Sequence, residues 1–318
     1  MAVRIALAGD TMLGRGVAER IEERGPRSLV APEVAMLMRD ADLCFLNLEC
    51  CISDRGAPWP DPAKPFFFRA PPAAVETLVD LGVDAVTLAN NHALDFGAEA
   101  LLDTLAMLDD AGIAHVGAGP DIASAREPLV LSADGLPLRV IGVADHPADF
   151  AAAPRRAGIA HERLDGAPAG WLEAAIAAPG ADAVLVTPHW GPNMTSEPIP
   201  RVRAAAEALV SAGATVVAGH SAHVFHGVSG PVLFDLGDFL DDYAVDPVLR
   251  NDLGLLWLLT LDRDGPRRLE VVPIALDYCV TRLADDDAAA GILKRFRSAC
   301  AALGTEVAEE KGRPVVIW

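Results

Sequence analysis

A layered α/β protein is what this sequence predicts, and three observations predict it. Apolar runs of strand length alternate with Ala- and Leu-rich segments of helical spacing along most of the 318 residues. Several helical segments start near a proline and stop at a glycine. The apolar fraction is 52%, yet no stretch approaches the roughly 20 apolar residues of a membrane helix.

In chain order, Val3 to Ala8 is a first strand that runs into Gly9-Asp10, and it is too short and too polar at its end for a secretory signal. Helices are expected over 16–24 and 32–39, and a strand over 42–49. Residues 53–72 form a loop rich in proline, glycine and charge; a loop of that length in a compact domain is usually functional or mobile. Pro72 to Leu81 predicts a helix stopped by Gly82, and Asp84 to Ala89 a strand opening into Asn90-Asn91-His92. The helix over 98–111 carries leucines and Met107 at core spacing. Leu129–Leu131 and Leu138–Val143 flank an Asp134-Gly135 turn, and 145–170 is irregular. A helix over 170–178, a strand over 182–187 and a helix over 200–212 follow. Strands are then expected at 215–218, 232–236, 255–261 and 269–280, a helix at 286–303, and a strand or tethered terminus at 314–318. The expected organisation is a single domain over 1–318, with 262–318 a strand and helix extension packed on it.

Charge narrows the partners. A net charge of −19 repels both a nucleic-acid backbone and an anionic membrane surface, so neither is expected, and it favours cationic partners or metal ions; the expected partner is a small-molecule or peptide substrate. The five cysteines are odd in number and lack Cys-x-x-Cys spacing, which fits reduced, buried thiols in a cytoplasmic protein.

The chemistry gathers where strands end. Six apolar runs finish in a polar group able to bind metal: Gly9-Asp10, Asn47-Leu48-Glu49, Asn90-Asn91-His92, Pro188-His189, Gly219-His220 and Gly237-Asp238. Ligands of open α/β sheets collect outside the carboxyl ends of strands. The stretch 220–226 alone holds three of the eight histidines. Asp, Glu, Asn and His form a mixed oxygen and nitrogen donor set that suits Mn²⁺, Fe²⁺ or Zn²⁺, and the absence of cysteine argues against a structural zinc site.

The segments Gly9-Asp10-Thr11-Met12-Leu13-Gly14-Arg15, Asn47-Leu48-Glu49, Ala89-Asn90-Asn91-His92-Ala93-Leu94-Asp95-Phe96-Gly97, His189-Trp190-Gly191 and Gly219-His220-Ser221-Ala222-His223 occur in that order. Together they resemble the CapA family, named for bacterial poly-γ-glutamate capsule synthesis and related to calcineurin-like metallophosphatases. The resemblance implies a four-layer α/β/β/α sandwich of the metallo-dependent phosphatase type, holding one or two divalent ions (Mn, Fe, Zn or Ca). It implies Asp10, Glu49, Asn91, His189, His220 and His223 as metal ligands, with Glu49 at the bridging position. It implies His92 as proton donor or acceptor, oriented by Asp95. Arg15 and Lys64 are candidate anion binders and Trp190 a candidate wall for substrate; Trp59 is weighed the same way. Asp238 is read as holding a corner, and His226 as facing away from the ligands or supporting them. Two departures stand out: Met12 occupies a position where the phosphatases have histidine, and His220 and His223 are separated by Ser221-Ala222 instead of a single residue. The first predicts that one ion is weakly held or absent.

Three functions fit these residues. The first is hydrolysis of a phosphoester or an amide or peptide bond by metal-activated water. The second is metal-assisted epimerisation of a ribosomally made peptide through Cα proton removal and return. The third is a non-catalytic accessory role in capsule polymer synthesis.

Overall fold

In the first strand, Val3–Thr11, side chains alternate between two cores, and that alternation sets the whole architecture. Ile5 and Leu7 meet Leu138, Val140 and Leu185 of a second sheet, whereas Ala6 and Ala8 face Val17, Val34, Leu78 and Leu101, which come from helices. On the far side of the second sheet, Ile141, Val143, Val184 and Val186 pack on Leu172, Ile176, Val202 and Leu209. The layers therefore run helix, sheet, sheet, helix, as the resemblance implied. The computed structural model describes residues 2–310 and 313–318.

At the centre of the larger sheet, Val3–Thr11, Leu43–Leu48, Ala85–Thr87 and Ala114–Val116 are parallel neighbours in that order. Leu253–Asp262 pairs antiparallel with the other side of Val3–Thr11, and Gly265–Asp277 and Arg313–Ile317 extend the sheet beyond it. The smaller sheet has parallel neighbours Leu136–Ala144, Ala183–His189, Val216–Ala218 and Val232–Leu233. Parallel strands buried on both faces read as continuous apolar runs, which is why they were legible in the sequence. Phe45 sits between the sheets with 2% exposure, so Phe45→Ala is expected to cost about 3–5 kcal/mol.

Beyond residue 262, the helix Asp286–Ala302 is capped by Asp285, whose side chain accepts from the Ala288 N–H. It buries Ile292, Phe296 and Cys300 in the same core that lies between the sheets.

Some expected elements differ. The helix expected from Pro72 opens as a 3₁₀ turn, Pro72–Ala74, before the α-helix Val75–Asp80. The strand expected over 232–236 is regular only at Val232–Leu233, because the chain then turns into the Gly237 corner. Ala118–Gly119 and the five-residue helix Ile122–Arg126 were too short to show a period. The 53–72 loop is tied at its ends, where Arg69–Ala70 pairs with Cys51–Ile52. All five cysteines are buried free thiols. Among the described residues, no helix is long and apolar enough to cross a membrane.

Candidate metal centre

The parallel strands of both sheets deliver their carboxyl ends to one edge of the sandwich. Asp10 lies near the end of the first strand, Glu49 one residue past Leu48, and His189 closes its strand. His189 and His220 form an isolated parallel bridge that joins two of the endings directly. The glycines in these motifs have a steric cause. A Cβ on Gly9 would sit 1.8 Å from the Gly237 carbonyl oxygen, and one on Gly219 would sit 2.3 Å from the Phe234 oxygen. Only glycine lets the backbones approach this closely, and each glycine sets the next residue, Asp10 or His220, at the edge.

Asp10 is the hub. Its Oδ1 accepts from Asn47 Nδ2 at 2.8 Å and lies 3.0 Å from His220 Nδ1, and its Oδ2 is 3.3 Å from His223 Nδ1. His223 Nδ1 is also 2.8 Å from Asp238 Oδ1. Asp10, His223 and Asp238 each offer a ligand atom within 4.8 Å of the others, all buried. Glu49 stands 3.9 Å from His189 Nε2 and 4.0 Å from His223. The histidine loop bears backbone strain: Ser221 has φ 110° and His223 φ 58°. It is clamped by Ser221 Oγ donating to the Gly191 carbonyl and by the Ala222 N–H donating to Asp235 Oδ2.

The charge states show what this arrangement lacks. Burial would raise Asp10, but hydrogen bonds and positive charge from His220 and His223 hold it well below the usual carboxylate range. Glu49 is pushed well above that range by burial and by the Asp10 charge, and Asp238 and Asp235 are raised chiefly by burial. Burial disfavours the cationic form of His223, yet Asp238, Glu49 and Asp10 together raise it well above an ordinary imidazole. Burial drives His189 well below it.

The donor atoms fit a divalent ion. Both oxygens of Glu49, Asn91 Oδ1, both ring nitrogens of His189, His220 Nε2 and Asp238 Oδ2 are buried without a hydrogen-bond partner. An unpaired buried polar group costs about 1–3 kcal/mol, and those of Glu49, His189, His220 and Asp238 lie on side chains joined by the contacts above, all of metal-ligand chemistry. Crowded buried carboxyls are stabilised by a cation, and the donor types match Mn²⁺, Fe²⁺ or Zn²⁺.

A second histidine–carboxylate pair adjoins the cluster. His92 Nδ1 is 2.6 Å from Asp95 Oδ2, which also accepts from the Phe68 N–H at 2.6 Å. Lys64 Nζ lies 2.9 Å from Asp95 Oδ1 and donates to the Asn91 carbonyl at 2.9 Å. Phe68 stacks on the His92 ring at 3.9 Å. Burial outweighs the help of Asp95 and lowers the His92 pKa to about 4, leaving a neutral imidazole with Nε2 free.

A cavity of about 320 Å³ opens over His92 and His223, lined also by Arg15, Phe66, Phe68, Met194 and Tyr243. Arg15 thus reaches the place expected of it, although it is paired with Asp242. Lys64 is at the site but is spent on Asp95 and Asn91, which corrects its reading as a free anion binder. Trp190 is the larger correction. It is 2% exposed, packs in the outer core of the smaller sheet, and donates from Nε1 to the Phe234 carbonyl. Trp59 bonds Asp149 and stacks edge-on with Phe150, away from the cavity lining. Met12 is wholly buried, with its sulfur accepting the Gly14 N–H, and so is no ligand. His226 turns away from the cluster to the Thr195 carbonyl.

Sequence reasoning missed several residues. Asp238, counted among the polar strand ends but read as holding a corner, is the parallel ladder partner of Asp10, so its place beside the cluster was only half read. Asn47 and Asn90 fix Asp10 and the following turn through their amides. His146 comes within 5.3 Å of the His189 ring from the irregular segment 145–170, and no local pattern announced it.

Fold and cluster together define the class: a two-sheet α/β sandwich with a buried carboxylate–histidine cluster at its strand ends. The profile of the bacterial capsule synthesis protein PGA_cap matches residues 4–243, and the chain belongs to that family. It is 33% identical over 317 residues to a probable polyglutamine synthesis accessory protein of Mycobacterium tuberculosis, covering 82% of this chain and 80% of that one. It is 28% identical to the PGA biosynthesis protein CapA of Bacillus subtilis, covering 85% of this chain and 70% of that one. Among solved structures, a 5'-nucleotidase from Candida albicans aligns with a TM-score of 0.43 and 10% identity, over 96% of this chain and 60% of that one. A hypothetical protein of Thermus thermophilus aligns with a TM-score of 0.45 and 15% identity, over 87% and 95%.

Proposed function

We propose that the chain is a metal-dependent hydrolase that cleaves a phosphoester or an amide or peptide bond in a small-molecule or peptide substrate. The observation that carries this reading is the group of buried, unpartnered donor atoms on Glu49, His189, His220 and Asp238, side chains linked to Asp10 and His223 by the contacts above, with Asn91 Oδ1 likewise buried and unpartnered. Those residues, with Asp10 and His223, would hold one or two divalent ions. Bound there, the ions supply Lewis acidity toward a phosphoryl or acyl oxygen and acidify water.

The rest of the chemistry belongs to the chain. Asp10 is fixed by Asn47 and His220, so the donors are held before any ion arrives. His92 has Nδ1 committed to Asp95, which leaves Nε2 as the ring nitrogen for the cavity it lines. A neutral imidazole in that position takes a proton from the nucleophile or, once protonated, gives one to the leaving group. Lys64 and the Phe68 N–H hold Asp95 still, and the Phe68 ring limits water at one face of His92.

Purified protein should contain or take up Mn²⁺ and turn over a chromogenic phosphodiester, and Asn91→Ala should lose at least about a hundredfold in rate. A wild-type protein with no turnover, or an Asn91→Ala variant as fast as wild type, would sink the reading. The names of the relatives favour a second reading, an accessory role in capsule polymer synthesis. Tight Mn²⁺ binding without turnover on phosphodiester, amide or peptide substrates is its expected signature.

A further inference from the structure

The cavity over His92 and His223 has a rim of different chemistry from its floor, and the difference bears on what enters it. Phe66 and Met194 come from two separate loops, and both line the entrance. They are 55% and 38% exposed, so both offer apolar surface at the cavity. Behind them, Phe68 and Tyr243 lie 5.7 Å apart, with the Arg15 guanidinium 5.2 Å from Phe68 and 5.8 Å from Tyr243. Arg15 also covers Phe66 at 5.6 Å, so aromatic rings and one flat cation make the wall.

Charge at the rim is already spent. Arg15 Nε and Nη2 are taken by Asp242 at 3.0 and 2.5 Å. Lys64 is taken by Asp95 and the Asn91 carbonyl. Among the described residues lining the cavity, no side-chain cation is left for a second or third anionic group. On the wall, the Tyr243 hydroxyl is buried without a hydrogen-bond partner, and its ring meets His223 edge-on at 5.2 Å.

We infer that the substrate carries a ring-sized apolar group beside the bond that reacts, and at most one negative charge. The apolar group would sit on Phe66 and Met194, and the reacting group would lie toward His92 and His223. This rests on the metallohydrolase reading and specifies its substrate class; a polyanion without a ring is poorly served by this rim.

The test is calorimetric binding to the Mn²⁺-loaded full chain of three probes: phenyl methylphosphonate (one charge and a ring), dimethyl phosphate (one charge, no ring) and tricarballylate (three carboxylates, no ring). The ring-bearing probe should bind at least about tenfold more tightly than dimethyl phosphate, the gain expected for burying a phenyl-sized surface. The double variant Phe66→Ala/Met194→Ala should reduce that ratio to about twofold or less while leaving Mn²⁺ affinity unchanged; both side chains are exposed, so the fold survives their loss. Equal binding of the two monoanions, a tightest site for tricarballylate, or a ring preference untouched by the double variant would each overturn this inference alone. A wild-type chain that takes up no Mn²⁺ would overturn the metallohydrolase reading, and this inference with it.

Discussion

His92 and His223 are both buried imidazoles whose Nδ1 meets a carboxylate, Asp95 at 2.6 Å and Asp238 at 2.8 Å, yet their proton affinities move in opposite directions. Burial carries His92 down to about 4 in spite of Asp95. Burial pulls on His223 as well, but Asp238, Glu49 and Asp10 raise it well above an ordinary imidazole. The difference lies in the neighbours. Around His92 the chain supplies its own cation, since Lys64 sits 2.9 Å from Asp95 and balances it. Around His223 several carboxyls crowd together with no lysine or arginine among their ion-pair partners in the described residues. One half of the site is electrostatically closed by the chain's own cation, and the other, the open half, is the one proposed to take a metal ion.

Breaking the closed half should have the largest effect. Asp95→Ala strands Lys64, whose side chain is only 12% exposed, beside a buried imidazole. Removing one partner of a buried pair costs about 3–5 kcal/mol, to be read as a lower urea midpoint at unchanged slope. A loss below about 1 kcal/mol would show that the pair is no more than a surface contact.

The open half should answer to metal instead. Mn²⁺ at a hundred times its dissociation constant should raise the unfolding free energy by about 2.7 kcal/mol. Asp10→Asn should abolish that increment, whereas Lys64→Met should lower overall stability and keep it. An increment that disappears in both variants would erase the distinction between the two halves.

How much of this was visible in the sequence depends on whether the cause was local. The four layers were legible because strands buried on both faces are written as apolar runs and helices as a 3.6-residue period. The polar strand ends were legible because Gly9 and Gly219 are required by close backbone approach and stand beside Asp10 and His220. Arg15 was placed correctly at the cavity but without its partner, since Asp242 is 227 positions away. Trp190 was misplaced because a tryptophan beside a ligand reads the same whether its ring turns to the cavity or to the core; the Phe234 carbonyl decides it, and sequence spacing does not reveal that contact. Lys64 was misassigned for the same reason: a loop lysine does not announce a carboxylate 31 residues later.

His226 provides the control for His92. It is buried on the same loop as His223, with no carboxylate partner, and burial chiefly, with Arg295 and Arg203 adding to it, lowers its pKa to about 4. Its folded pKa lies below the ordinary 6.5, so the unfolded chain takes up the proton first as the pH falls. The stability it protects is present above pH 6.5 and is lost as the pH drops toward 4, by about 1.4 kcal/mol per unit. Urea unfolding at pH 7 and pH 5 should show wild type losing roughly 2 kcal/mol more than His226→Gln. Equal losses would mean that His226 is solvated and is no reference for a buried imidazole.

The smallest effect isolates the open half most directly. Glu49 is 0% exposed, and neither of its oxygens has a hydrogen-bond partner. Glu49→Gln keeps the shape and removes a carboxyl that burial and Asp10 already disfavour as an anion. In chelator the variant should be as stable as wild type or more stable by up to about 1 kcal/mol, because a carboxyl that burial already holds protonated gives up no charge interaction on becoming an amide. Its Mn²⁺ affinity should fall by at least about tenfold, since an amide oxygen is a weaker donor than a bridging carboxylate. The paired outcome matters more than either number: a residue kept for folding would lose stability on substitution, whereas a residue kept for a cation loses only the cation. A Glu49→Gln variant that is destabilised in chelator and binds Mn²⁺ normally would assign Glu49 to the core and move the metal centre off the ends of these strands.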